Sequence, residues 1–257
     1  MIPDLLMRTY ARTRLGSRLT SFLHRHGVYW SDGLATIHNH DFMDDPTYIA
    51  ARQRGLESCR ESKEQKEERR DFWRLHVALW GASHAVQLPG SFVECGVSYG
   101  FLSLAIMQYL DWNNRDKQFY LFDTFCGLDE SLVSPEEFAL GRVDQSRQMY
   151  SECYKDVQEN FKEFNNVILM RGSVPSTLST VEIPSVCYLH LDMNCAEPEI
   201  QAARFFWPKM VKGGVVLLDD YGRTDFAPQK KAFDGFTSEY DIRILSFPTG
   251  QGMFLKP

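Results

Sequence analysis

Three aspartates directly follow two apolar, strand-like stretches of this sequence. Asp192 comes after Y-L-H-L, and Asp219 and Asp220 come after V-V-L-L. Residues 197–211 between them have the length of a crossover helix, and Lys-Gly-Gly at 212–214 predicts the turn that closes it. In a parallel sheet the ends of such strands share one edge, where ligands bind. Because three carboxylates at one edge repel one another, we expect a cation or a bound proton among them.

A glycine-rich turn follows an earlier strand of the same kind. That strand ends at Glu94-Cys95, and Gly96 and Gly100 precede a predicted helix that runs to about Trp112. The spacing is G-x-x-x-G and not the dinucleotide pattern G-x-G-x-x-G. Glycine nevertheless allows a ligand to approach the backbone closely, and the start of a helix presents free N–H groups. The turn therefore predicts a ligand site at the same sheet edge.

Two further strands end at the same edge. One ends at Asp123, whose carboxylate is suited to the two hydroxyls of a ribose, with a helix cap as the alternative. The other is N-V-I-L-M, which ends at Arg171-Gly172-Ser173. Five strand ends thus converge, and the alternation of strands and helices predicts an α/β fold.

The composition limits the class of protein. The 257 residues are 44% hydrophobic, which is enough to bury a full core as one large α/β domain. The formal net charge of −6 argues against a nucleic-acid partner, which requires a basic face. No apolar stretch approaches the roughly 18 residues of a spanning helix, so we expect a soluble protein without a membrane partner. Six cysteines without C-x-x-C or zinc spacing indicate free thiols in a reducing cytoplasm.

The first 88 residues are expected to form N-terminal helices and an active-site lid, beside a core at 89–257, in one compact domain overall. Residues 1–20 predict a surface helix that packs on the domain or on a second subunit, in preference to a transit peptide. Residues 36–48 contain two histidines and three aspartates, which indicate either a metal site or, preferably, a mobile loop with a helix cap at Asp44 or Asp45. Such a lid could bring His38 or His40 to a substrate. Helices are expected at 46–62 and from 71 to Pro89-Gly90, the second with packed histidines at 76 and 84.

Five motifs in this order resemble a known enzyme family: V-E-C-G-V-S-Y-G, F-D-T-F-C-G-L, R-G-S-V-P-S-T-L, H-L-D-M-N and G-G-V-V-L-L-D-D-Y-G. They are similar to the S-adenosylmethionine-dependent O-methyltransferases of the macrocin and mycinamicin type, which include the enzyme that methylates noviose. The resemblance covers roughly Thr36 to the C-terminus. It implies a class I methyltransferase, Rossmann-like fold with a seven-stranded, mostly parallel sheet, helices on both faces and an antiparallel last strand. The last two strands are expected at 241–247 and 252–255.

The resemblance also implies S-adenosylmethionine as cofactor, bound over the glycine turn. The turn would hold the amino-acid portion, Asp123 the ribose, and Gly172 and Ser173 would lie by the adenine. The residues implied to bind this cofactor are Glu94, Gly96, Val97, Ser98, Gly100, Asp123, Thr124, Gly172 and Ser173.

A metal site is implied at the three aspartates. Asp192, Asp219 and Asp220 match positions that hold Mg²⁺ or another oxygen-preferring divalent cation in the family. A hydroxyl is a poor nucleophile, and a bound cation lowers its pKa so that a carboxylate, here Asp192, can act as general base. This chain departs from the family after the first aspartate, where M-N-C-A replaces G-D-L-Y and Asn194 replaces a second acid.

The predicted function is therefore methyl transfer to a hydroxyl of a sugar, glycosylated metabolite or other small natural product, by a cytoplasmic homo-oligomer. Loops at 37–48, 128–150 and 221–228 are expected to line the acceptor site. Two alternatives stay open: a non-catalytic binding protein with this fold, and a nicotinamide-dependent oxidoreductase or sugar epimerase. The absence of G-x-G-x-x-G and of Y-x-x-x-K disfavours the second.

Overall fold

A seven-stranded sheet forms the centre of the computed structural model, which describes residues 29–69 and 71–257. A short antiparallel hairpin precedes it, made of β1 (Tyr29–Ser31) and β2 (Leu34–Thr36). The strands of the main sheet are β3 (Ser91–Cys95), β4 (Phe119–Asp123), β5 (Val167–Arg171), β6 (Val186–Leu191), β7 (Met210–Leu218), β8 (Leu245–Ser246) and β9 (Gly252–Leu255).

The strand order is β5-β4-β3-β6-β7-β9-β8. The contacts from β5 through to β7 are parallel, whereas β9 runs antiparallel to both β7 and β8. The predicted class I, Rossmann-like sheet with an antiparallel last strand is confirmed.

Helices cover both faces of this sheet. They are α1 (Pro46–Ser58), α2 (Lys63–Glu68), α3 (Phe72–Ala85), α4 (Phe101–Tyr109), α5 (Pro135–Ala139), α6 (Arg142–Met149), α7 (Tyr154–Phe161), α8 (Ala196–Phe206) and α9 (Ala227–Ser238). The central strands are buried on both sides, as all six residues of β6 show, which explains their continuous apolar sequences. One face packs through Phe92 and Phe119, and the other through Phe122 and Phe206.

The helices before the sheet share its core. Leu75 and Val77 of α3 belong to the hydrophobic cluster that contains Phe92 of β3. Asp45 caps α1, as predicted, because its carboxylate accepts the N–H groups of Thr47 at 2.7 Å and Tyr48 at 3.0 Å. Helices α1 and α3 are therefore continuous with the core in packing.

Several predicted boundaries were wrong. Helix α1 ends at Ser58 and not at 62, because Ser62 opens a new helix through a capping box with Gln65. Residues 212–214 lie inside β7 and not in a turn, since the strand extends back to Met210, which pairs with Val186 of β6. Helix α8 accordingly ends at Phe206 and not at 211, α4 ends at Tyr109 and not near 112, and β8 spans two residues of the predicted 241–247.

The predicted helix at residues 1–20 lies outside the described residues. Within the described part of the chain, no helix combines the length and the apolar character that crossing a bilayer requires.

Candidate active site

A cavity of about 690 Å³ opens at the carboxyl ends of the parallel strands. Its walls contain ten of the twelve residues that the sequence predicted for the site, which are Glu94, Gly96, Val97, Ser98, Asp123, Thr124, Gly172, Ser173, Asp192 and Asp219. Gly100 and Asp220 do not line it. The sheet thus brings the predicted cofactor and carboxylate residues to one cavity.

The glycine turn lies against the end of β6. Gly96 has a φ of +91°, and a Cβ atom there would lie 2.0 Å from the carbonyl oxygen of Asp192. Only glycine fits both the conformation and the space. Gly100 also has a positive φ, of +92°, and a Cβ atom there would meet the ring of Phe161. Gly100 therefore shapes the turn from behind and does not face the cavity.

Asp123 organises this turn. Its Oδ2 accepts the N–H groups of Val97 at 2.6 Å and Ser98 at 2.8 Å, and its Oδ1 accepts the N–H of Phe125 at 2.6 Å. A carboxylate has about four acceptor positions, so the backbone uses most of the capacity of this side chain. The predicted ribose contact can use only what is left on Oδ1.

A pair of buried side chains, Glu94 and His190, forms part of the cavity wall. Glu94 accepts a hydrogen bond from the Ser103 hydroxyl and lies 3.2 Å from Nδ1 of His190. The Nε2 atom of His190 is buried, has no hydrogen-bond partner among the described residues, and lies 3.9 Å from Oδ1 of Asp219. The sequence analysis missed His190, although its place two residues before Asp192, on a buried strand, was a signal.

The cluster of possible metal ligands differs by one residue from the prediction. Possible ligand atoms of His190, Asp192 and Asp219 all lie within 4.8 Å of one another. Asp220 is buried away from the cavity and lies 3.4 Å from Nε of Arg223. Because consecutive residues at the end of a strand point to opposite sides, Asp219 and Asp220 do not both face the cavity. Asp220 therefore does not line the cavity, and its role as a metal ligand stays a prediction.

Arg74 of α3 supplies a cation to this cluster, and the sequence analysis missed it. Its Nη2 forms an ion pair with Oδ2 of Asp219 and lies 3.8 Å from Oδ1 of Asp220. The signal was one arginine inside the apolar helix sequence F-W-R-L-H-V. A guanidinium that is paired in this way satisfies the expectation of a cation among the carboxylates.

The three aspartates differ in proton affinity. Burial, together with the charges of Asp219 and Asp220, raises the pKa of Asp192 well above its usual value. Burial and the charge of Asp219 raise the pKa of Asp220 to about 6. Burial opposes ionisation of Asp219 too, but the charge and hydrogen bond of Arg74, together with other nearby positive groups such as Arg223, outweigh burial and hold the pKa of Asp219 below its usual value. The like charges contribute to these rises as expected, but burial is the larger cause.

Asn194 connects the cluster to the loop at 128–150. Its Nδ2 lies 3.3 Å from Oδ1 of Asp192 and 3.3 Å from the hydroxyl of Tyr150. Its φ of +57° is a left-handed conformation, which asparagine tolerates better than most residues. The amide thus holds the Asp192 carboxylate from the side.

The loop at 36–48 does not line the cavity. His38 lines a separate pocket of about 420 Å³ beside Trp73 and Trp80. Phe42 stacks on His76 with ring centroids 3.9 Å apart, so the loop is packed onto α3. Neither His38 nor His40 lines the cavity, and a substrate contact by either residue stays a prediction.

One more of the three loops expected around the acceptor does not line the cavity. The loop at 128–150 lines the cavity, whereas 221–228 does not. The segment 59–71, which was not expected at the site, forms part of the cavity wall. It contributes Cys59, Arg60, Glu61, Arg69 and Asp71.

The family model for macrocin O-methyltransferase (TylF) matches residues 67–244, which is more than half of the chain. The chain belongs to the macrocin O-methyltransferase family. Demethyldecarbamoylnovobiocin O-methyltransferase of Streptomyces niveus is 26% identical to it over 164 residues, or 60% of this chain. The match spans 61% of the length of that relative.

Solved structures of methyltransferases share the fold of this chain. The O-methyltransferase NovP superposes with a TM-score of 0.63 at 22% identity, covering 72% of this chain and 80% of NovP. The calicheamicin methyltransferase CalS11 has a TM-score of 0.57 at 16% identity, covering 82% of this chain and 93% of CalS11. PaMTH1 of Podospora anserina, solved with S-adenosylhomocysteine bound, has a TM-score of 0.55 at 11% identity, covering 96% and 97%.

Proposed function

We propose that this protein transfers a methyl group from S-adenosylmethionine to a hydroxyl of a small-molecule acceptor, a sugar or another natural product. The observation that carries the proposal is the single cavity that joins the glycine turn to Asp192 and Asp219. Its volume falls within the roughly 300–1,000 Å³ of small-molecule sites. Membership in the macrocin O-methyltransferase family and the names of the relatives favour a sugar or natural-product acceptor over either alternative.

The cofactor end of the cavity is assigned to the glycine turn and the ends of β4 and β5. We propose that Glu94, Gly96, Val97 and Ser98 surround the amino-acid portion, with Gly100 supporting the turn from behind. The ribose would lie against Asp123 and Thr124, and the adenine beside Gly172 and Ser173. Ser173 supports this placement because its hydroxyl donates to Asp129 at 2.6 Å, so the adenine end has fixed polar walls.

The other end of the cavity is assigned to the acceptor. We propose Asp192 as the general base, since burial raises its pKa and makes it a stronger proton acceptor than an exposed carboxylate. Asn194 holds its Oδ1, which leaves Oδ2 for the acceptor hydroxyl. Methyl transfer is an in-line displacement, so alignment of donor and acceptor is the main contribution of the protein.

The carboxylates also fit an oxygen-preferring divalent cation such as Mg²⁺. We propose that Asp192 and Asp219, which face the cavity, hold it, and that the buried Asp220 adds negative charge from behind. The chemistry that such a cation supplies when bound is a lowered pKa of the acceptor hydroxyl. Asp192 and Asn194 would still orient the acceptor and receive its proton.

We propose that the N-terminal region 1–88 supplies helices and a lid to the active site, with 59–71 lining the cavity, beside a core at 89–257. We also propose a homo-oligomer in a reducing cytoplasm. All six cysteines are free, which supports the compartment, and the exposed Trp80 supports a contact surface on α3. Light scattering at several protein concentrations measures the oligomeric state.

The test is methylation of a pool of hydroxylated acceptors with a labelled methyl donor, with and without a chelator. We expect transfer to a sugar-containing acceptor and a loss of rate in the chelator. Full activity in the chelator would reject the role of the metal but not the methyltransferase function. Absence of S-adenosylmethionine binding in calorimetry, together with tight NAD binding, would reject the methyltransferase function.

A further inference from the structure

Arg74 is held at the cavity by several acceptors at once. Besides its ion pair with the Asp219 carboxylate, Nη2 donates to the Asp219 carbonyl at 3.0 Å. Its Nη1 donates to the carbonyl of Thr249 at 3.2 Å. The side chain is 15% exposed, so little water competes for these contacts. These contacts fix the Arg74 guanidinium within the carboxylate cluster.

The Asp219 carboxylate has both oxygens engaged. Oδ2 pairs with Arg74, and Oδ1 accepts from Nε2 of Gln251 at 3.2 Å. A divalent cation prefers carboxylate oxygens as direct ligands, and it repels a guanidinium on the same oxygen. Arg74 must therefore release Oδ2 of Asp219 before that oxygen can bind a cation directly.

A second carboxylate lies ready for the released guanidinium. Oδ1 of Asp32, in the turn between β1 and β2, lies 3.8 Å from Nη1 of Arg74. Oδ2 of Asp32 is buried and has no hydrogen-bond partner among the described residues. A buried acceptor that lacks a partner is costly, so a new bond from Arg74 would lower the energy of the displaced arrangement.

We propose, on the basis of the cation site of the proposed function, that Arg74 is a positioning residue that competes with a divalent cation for Asp219. When the cation binds, the Arg74 guanidinium transfers from Asp219 to Asp32. The exchange keeps one ion pair for Arg74 in each arrangement, so the guanidinium is never buried without a carboxylate partner. The hairpin of β1 and β2 thereby senses the occupancy of the active site.

The first measurement is the affinity of the full chain for Mn²⁺, by titration calorimetry without methyl donor or acceptor. Arg74→Gln removes the competing charge and is expected to bind Mn²⁺ about tenfold or more tightly than the wild type. Arg223→Gln is the matched control, because Arg223 contacts Asp220 and has no contact with Asp219 in the structure. We expect a smaller change, on the order of twofold, from its more distant charge.

The second measurement is a double-mutant cycle with Asp32→Asn. In the wild-type background this substitution removes the second partner of Arg74 and is expected to weaken Mn²⁺ binding about three- to tenfold. In the Arg74→Gln background it is expected to change the affinity less than about twofold. A simple loss of negative charge near the site would weaken binding equally in both backgrounds, which would overturn the role of Asp32.

Two results of the affinity measurement would contradict the proposal. If Arg74→Gln and Arg223→Gln increase the Mn²⁺ affinity equally, or if neither increases it, Arg74 does not compete with the cation. Arg74→Lys, which keeps the charge but cannot bridge the same acceptors, provides a second variant with an expected intermediate affinity. Circular dichroism establishes that each variant is folded. The Mn²⁺ titrations contain no methyl donor, so their outcome does not depend on catalysis. Methyl transfer that persists in a chelator, in the separate activity assay, would therefore reject the catalytic role of the metal and leave this competition intact.

Discussion

At the scale of single residues, the active site depends on acids whose surroundings give them different tasks. Asp123 accepts backbone N–H groups, Asp219 is paired with Arg74, and Asp192 is buried beside like charges. Three side chains of one type therefore organise a loop, pair with an arginine and, in the proposed mechanism, accept a proton. Their partners, and not their residue type, set these roles.

Asp123→Ala is expected to weaken S-adenosylmethionine binding and also to destabilise the protein. The sequence alone predicted little loss of folding, but the substitution removes the acceptor of three backbone N–H groups in the turn. We expect a loss of roughly 1–3 kcal/mol in binding free energy and of similar size in unfolding free energy. Calorimetry and urea denaturation measure the two. Unchanged affinity in a folded variant would contradict the cofactor assignment.

Asp192→Asn is expected to reduce the rate of methyl transfer by on the order of 10²–10⁴, because it removes the proposed general base. The affinity for S-adenosylmethionine is expected to change little, since the Asp192 carboxylate accepts from Asn194 and not from a residue proposed to hold the cofactor. Single-turnover transfer of a labelled methyl group measures the rate. Asp234→Asn is the control, because that carboxylate pairs with Lys230 on the surface. A variant at position 192 with wild-type rate would exclude the base.

At the scale of elements, the segment from Cys59 to Asp71, which contains α2, walls the cavity where the loop at 36–48 was expected to do so. Charged contacts attach it to the core. Arg60 pairs with Asp156 of α7, and Arg69 lies over the Phe101 ring at 4.2 Å. Such surface contacts are weak and reversible, which suits a cover that admits ligands.

Limited proteolysis with and without S-adenosylhomocysteine tests this cover. We expect ligand to protect 59–71 more than 36–48, which lies on α3. Arg60→Ala is expected to speed cleavage of the ligand-free segment about two- to fivefold, since it loosens an exposed attachment. Arg204→Ala, which breaks a similar exposed pair with Glu239, is the control and should leave cleavage unchanged. Protection confined to 36–48 would restore that loop as the lid.

At the scale of the whole molecule, buried acids beneath the cavity couple stability to pH. Burial and the nearby charge of Asp220 raise the pKa of Glu199 to about 8. Its carboxyl accepts the N–H of Met193 at 3.0 Å, so it supports the loop after β6. Between its unfolded pKa of about 4.5 and its folded pKa, the native state holds a proton that the unfolded state has lost.

Stability is therefore expected to fall as the pH rises from 5 to 9. Glu199→Gln, which keeps the acceptor without the charge, should remove a few kcal/mol of that fall. Urea denaturation of both proteins at pH 5, 7 and 9 measures the difference. A pH dependence that is identical in the two proteins would mean that Glu199 does not cause it.

Local patterns in the sequence determined the sheet, its strand ends and the family. Strand ends depend on apolar stretches that are local in the chain, and parallel strands bring their carboxyl ends to one edge whatever the packing above them. Ten of the twelve predicted residues consequently line one cavity. Only the tertiary structure decided which way Asp220 points and that Arg74, from a helix more than a hundred residues earlier, pairs with Asp219. It also decided that 59–71 and not 36–48 walls the cavity. These features depend on contacts between distant parts of the chain, and no local spacing encodes such contacts.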